Sequence, residues 1–152
     1  MSAIDDVTEL QDAIQNFMWT QANDFKTACI GGLHYEQFPD NKDEVHPYCF
    51  YEFVSVIDDI DSCSNNFEAT IRFWFKDKIE NNNQNISHKV LSAVMAEFDK
   101  RFDDCENSLN LLMTNIVAIS VDKIGKQRKP PTRTVANRWE GYRDYKISID
   151  RK

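Results

Sequence analysis

The sequence predicts an α+β domain, ordered α-β-β-α-β-β: an antiparallel four-stranded sheet with two helices packed on one face and a long C-terminal hairpin. Three observations predict it. Residues 67 to 76 alternate apolar and polar, the period-2 mark of a half-buried strand. Residues 88 to 104 put Leu91, Val94, Met95, Phe98 and Phe102 on one 3.6-period stripe. The 152 residues also hold ten Phe, five Tyr and three Trp, types that favour strands and interfaces.

Each element follows in order. Residues 5 to 28 read as the first helix, with Val7, Leu10, Ile14, Phe17, Met18 and Phe25 near one face, ended by Gly31-Gly32. Asp5 and Asp6 suit its positive N-terminus. Residues 33 to 47 read as an irregular connector. Residues 48 to 57, aromatic and β-branched, form the first strand. Asp58 to Asn66 is an acidic turn, and 67 to 76 the second strand, with Trp74 the exception on its polar face. Ser87 is placed to cap the second helix. Residues 109 to 122 read as the third strand. In the last, 138 to 150, Trp139, Tyr145, Ile147 and Ile149 share a face. No internal repeat or linker interrupts residues 1–152, so one domain is expected.

Charge is unevenly spread. Residues 123 to 138 hold Lys123, Lys126, Arg128, Lys129, Arg133 and Arg138 with no Asp or Glu, a +6 segment. The net charge is -7, so the rest of the chain stands at -13. An acidic body disfavours wrapping DNA, since that affinity comes from neutralising phosphates. The asymmetry suits charge pairing between chains instead. A long loop inside a compact domain is usually functional or disordered, and Pro130-Pro131 cannot donate ladder hydrogen bonds.

The chemistry-bearing residues form no recognised constellation. His34-Tyr35-Glu36 has the His-x-Glu half of a zinc deaminase signature, but Pro47-Tyr48-Cys49 lacks the second cysteine. Cys29, Cys49, Cys63 and Cys105 match no metal spacing with His34, His46 or His88. Asp58, Asp59 and Asp61 lack the glycine turn and further oxygens of a calcium loop. No Gly-rich phosphate cradle or nucleophile elbow occurs. The expectation is no enzyme, no cofactor and no metal. With no signal sequence and no run of 18 apolar residues, a reduced intracellular chain with free thiols is expected.

The whole chain resembles the tail-terminator, or tail-completion, family of long-tailed bacteriophages. The likeness lies in layout: a helix over Thr8 to Phe25, a loop with Phe38-Pro39, an aromatic strand pair over Tyr48 to Ile57 and Phe67 to Phe75, a helix over Ser87 to Asp104, and a hairpin over Asn115 to Ile149. The resemblance implies a virion protein, assembled in the host cytoplasm, that closes the head-proximal end of the tail tube and ends its polymerisation. Such proteins commonly form six-membered rings around the DNA path. The implied partners are other copies of the chain, the tail-tube protein and a head-closure or connector protein, with no membrane. DNA passes without sequence-specific binding. On this reading the basic residues Lys123 to Arg138 meet a neighbour. Asp58, Asp59, Asp61 and Glu68 line an acidic lumen or supply the complementary surface. The long 123 to 137 loop is the departure from the family plan. Alternatives are another neck or head-tail connector component, and a small nucleic-acid-binding module using the basic arm.

Overall fold

A computed structural model describes residues 5–36, 45–58, 66–78, 88–124, 130–134 and 138–152. Strands β1 (Leu33–Tyr35), β2 (Tyr48–Asp58), β3 (Asn66–Lys78), β4 (Ile116–Lys123), β5 (Thr132–Arg133) and β6 (Arg138–Arg151) form one mixed six-stranded sheet. Its order is β1-β2-β3-β6-β4, with β5 also on β6. The α+β class is as expected; the sheet is larger and its helices more numerous. The antiparallel β2, β3, β6 and β4 are joined by β1, which runs parallel to β2, and by β5.

β1 was expected to be irregular. Three residues are too few to show a period, and two tertiary contacts hold it. Gln15 Nε2 donates to Leu33 O at 3.2 Å, and Gly31 N donates to Pro47 O at 2.8 Å. A Cβ on Gly31 would lie 2.6 Å from that oxygen, so glycine is required for the close approach.

The first helix is not continuous. Helix α1 (Asp6–Gln15) passes into a π-helical turn (Asn16–Thr20), and the chain restarts as α2 (Asp24–Ala28). Asn23 makes the break: its Oδ1 accepts from Lys26 N at 2.8 Å as an N-cap, and its Nδ2 donates to Met18 O at 3.0 Å. Arg101 donates twice to Phe17 O, at 3.0 and 2.7 Å, satisfying a carbonyl of the widened turn. The second expected helix is α3 (Lys89–Phe102); Ser87 lies outside the described residues.

The strand expected over 109 to 122 is also corrected. Its first two residues end helix α4 (Glu106–Asn110), a turn follows, and β4 begins only at Ile116. Leu109 is buried either way, so apolar spacing cannot separate the two states there.

The core lies between one sheet face and the helices. Phe73 from β3 packs on Phe98 and Phe102 from α3, with ring centroids 4.6 and 5.0 Å away, and Tyr145 from β6 closes on Phe102 at 4.7 Å. Burying a large apolar side chain contributes about 1.5–3 kcal/mol, so this cluster dominates the stability. Tyr51 is fully buried, and its hydroxyl donates to Gln15 Oε1 at 2.7 Å and accepts from Gln11 Nε2 at 2.9 Å. Gly141 lets α3 approach: a Cβ there would stand 2.7 Å from Met95 Sδ.

Candidate functional site

The basic segment begins at the end of β4, and its described residues resume at Pro130, just before β5. Its first cation is held within the chain. Lys123 Nζ stands 3.5 Å from Asp99 Oδ1 and 3.4 Å from Asp103 Oδ1, both near the end of α3, and 5.7 Å over the Tyr145 ring. Ile124 N then donates to Asp144 O at 2.9 Å, continuing β4's contact with β6. On the return, Pro130 and Pro131 line a cleft of about 210 Å³ with Ser92, Met95, Ala96, Asp99 and Arg143. Arg133 pairs in register with Trp139, and Arg138 with Lys78. Lys126, Arg128 and Lys129 lie outside the described residues.

Asp99 is the centre of this anchor, with a side chain 5% exposed. Arg143 Nε donates to it at 3.1 Å, and Tyr145 OH approaches at 3.5 Å while donating to Asp103 Oδ1 at 2.8 Å. Burial first, then the hydrogen bond to Asp103 and the two carboxylates, push the Tyr145 phenol well above its usual pKa. Two carboxylates thus meet two cations, the condition for keeping charge under a helix.

The sequence reading did not single out Asp99, Arg143 or Tyr145 as a group. The signals were present. Asp99 follows Phe98 on the apolar stripe of α3, and Arg143 takes an inward position between Gly141 and Tyr145. A charge at an inward position needs a partner, but periodicity does not say which one.

The acidic candidates are dispersed. Asp58, at the end of β2, accepts from Arg151 Nη2 at 2.8 Å. Glu68 lies 3.2 Å from Lys146 Nζ on the open sheet face. Asp59 and Asp61 lie outside the described residues. The open face is a lattice of cross-strand pairs. Arg72 makes two bonds to Asp144, at 2.8 and 3.0 Å, and packs beside the Trp74–Tyr142 ring pair, 5.3 and 4.6 Å from the two centroids, which are themselves 5.4 Å apart. Trp74, irregular in the sequence pattern, belongs to this face and donates to Glu52 Oε1 at 3.5 Å. Exposed pairs of this kind contribute about 0–1 kcal/mol each, so the lattice patterns a surface more than it stabilises the fold.

The two outer sheet edges differ. Beside β4, Asn110 of α4 uses its side-chain amide like a neighbouring strand: Nδ2 donates to Ala118 O at 3.0 Å and Oδ1 accepts from Ala118 N at 2.6 Å. Glu106 Oε1 accepts from Val121 N at 2.9 Å. This edge is plugged by side chains.

The remaining reactive groups are muted. Burial pushes the Cys29 and Cys105 thiols up to about 12 and raises that of fully buried Cys49 strongly. Cys63 lies outside the described residues. Among those described, no three His, Cys, Asp or Glu side chains are grouped to hold a metal ion. His34 Nε2 is instead 2.8 Å from Gly31 O. No helix among them is long and apolar enough to cross a membrane.

No protein-family model matches the chain, and no curated protein is significantly similar to it.

Proposed function

We propose that the chain is a structural assembly subunit: a tail-terminator-like protein that caps the head-proximal end of a phage tail tube, ends its polymerisation and joins it to the head connector as a ring around the DNA. The observation that carries this reading is the mounting of the basic segment. Lys123 is fastened to Asp99 and Asp103, Ile124 to β6, and Thr132–Arg133 to β6 again, so both ends of the segment are held at one place beside the β4–β6 pair. A basic segment whose described ends are anchored in the fold suits charge pairing with an acidic neighbour, and the acidic charge of the remaining chain disfavours a phosphate backbone. The same acid–base chemistry that seats Lys123 within the chain would link one copy to the next.

The test is electron microscopy and sedimentation of the purified full chain, with and without the tail-tube protein of the same particle. The expected result is a closed ring that binds tube ends and dissociates as salt rises. A compact monomer that ignores tube ends rules the reading out. The nucleic-acid alternative draws on the Trp74–Arg72–Tyr142 stack, since exposed aromatics and arginine can stack bases. It predicts salt-sensitive oligonucleotide binding, which the ring reading does not.

A further inference from the structure

β2 is much longer than its outer neighbour. β1 pairs with Cys49 to Tyr51, and among the described residues Glu36 N donating to Tyr51 O at 3.0 Å is the last bond across that edge. From Phe53 to Asp58, no strand among the described residues covers it. This stretch exposes apolar side chains: Val54 is 54% exposed, Val56 39% and Ile57 60%. Open edges are ordinarily guarded by Lys, Pro or side-chain plugs. The β4 edge has its plugs in Asn110 and Glu106, whereas no Lys, Arg or Pro occurs between Pro47 and Arg72. The bulge at Val54 is the only irregularity along β2.

The ends of the open stretch are acidic. Glu52 precedes it, and Asp58 closes it, followed in sequence by Asp59 and Asp61. The cation near Asp58, Arg151, is shared with Asp6 at 2.6 Å. A second copy pairing antiparallel through the same edge would set these carboxylates against their own kind, which destabilises a strand pair. Nor does the second copy's β4 edge offer free backbone at Ala118 and Val121. We infer that Phe53 to Asp58 takes an extended apolar strand flanked by Lys or Arg and donated by a different protein. Main-chain bonds to the edge supply affinity, Val54 and Ile57 supply apolar contact, and the acidic ends select cationic flanks. This surface goes beyond the assembly reading and does not depend on it.

The test is an NMR titration of the isotope-labelled full chain with a synthetic peptide of alternating Val and Thr flanked by two Lys at each end. Amide shifts and slowed hydrogen exchange are expected at Phe53 to Asp58. Replacing the four Lys by Glu is expected to weaken binding about tenfold or more. Val54→Lys and Ile57→Lys, both at exposed positions, are expected to abolish binding while leaving the remaining spectrum unchanged. Absence of shifts at Phe53 to Asp58, or equal binding of both peptides, overturns the inference. Self-association of the free protein that Ile57→Lys disrupts would place a second copy on this edge and overturn the partner named here.

Discussion

Arg143 of β6 sets its guanidinium Nε 3.1 Å from Asp99 Oδ1 of α3, with the two side chains only 10% and 5% exposed. An arginine on the inward face of a central strand and an aspartate on the apolar side of a helix each make the other tolerable. They also place Asp99 where Lys123 can reach it, so a core ion pair seats the basic segment.

Breaking this pair on one side leaves a buried charge. Arg143→Met is expected to destabilise the fold by about 1–3 kcal/mol, less than for an isolated buried pair because Lys123 Nζ still stands 3.5 Å from Asp99. The double variant Asp99→Leu with Arg143→Met is expected to recover much of that loss while freeing Lys123 from Asp99. Urea unfolding of the three proteins checks the cycle. Equal stability of Arg143→Met and the natural chain counts against the buried pair.

Glu9 supplies a pH dependence. It is 9% exposed and accepts from Thr114 N at 2.5 Å and Asn115 N at 2.9 Å, with the Asn115 and Thr114 side chains adding to both. Burial would raise its pKa, but these bonds together outweigh burial and hold the carboxyl below 4.5. The folded pKa lies below the unfolded one. The stabilisation is therefore complete above about pH 4.5 and drains as pH falls through the lower folded value. Glu9→Gln is expected to flatten this acid limb of the stability curve and to cost about 1–3 kcal/mol at neutral pH, because the bonds to Oε1 lose their charge assistance and the new amide sets a donor against Asn115 Nδ2. Thermal unfolding from pH 3 to 7 reads both effects.

Asn110→Ala uncaps both backbone groups of Ala118. The expected cost is about 1–3 kcal/mol, together with a newly open β4 edge. Light scattering at rising concentration is expected to show open-ended association of the variant beyond any closed assembly that the natural protein forms under the same conditions. An unchanged scattering profile argues against Asn110 as a guard.

Thiol chemistry separates the buried cysteines from the rest. With pKa values near 12, Cys29 and Cys105 are roughly one part in ten thousand thiolate at pH 8, and Cys49 is fully buried. The folded chain is expected to react with Ellman's reagent at no more than one of its four thiols, and the denatured chain at all four. Two or more fast thiols in the folded state contradict this packing.

Much of the fold was legible in the residues. The alternation through β3 and the stripe through α3 both held, because burial on one side repeats with the period of the backbone. β2 and β6 were placed to within a residue or two for the same reason. Elements too short to repeat a period were not legible: β1 and α4, of three and five residues, depend on contacts with Gln15, Pro47 and Ala118, residues distant in sequence or across a turn. The break at Asn23 lay inside an unbroken apolar stripe, which α2 continues after its restart.

By itself the sequence determined the α+β class, four of the strands, the two principal helices and a +6 segment in a chain whose remaining residues stand at -13. These are properties of periodicity and composition, which need no partner to read. Only the tertiary structure decided where that charge is fastened, which side chains plug one sheet edge and how far the described strands cover the other. Each of those is a pairing between distant residues: Lys123 with Asp99, Asn110 with Ala118, Arg151 with Asp58. Pairing follows from the sheet order and the helix approach, and those are set by how the whole core packs.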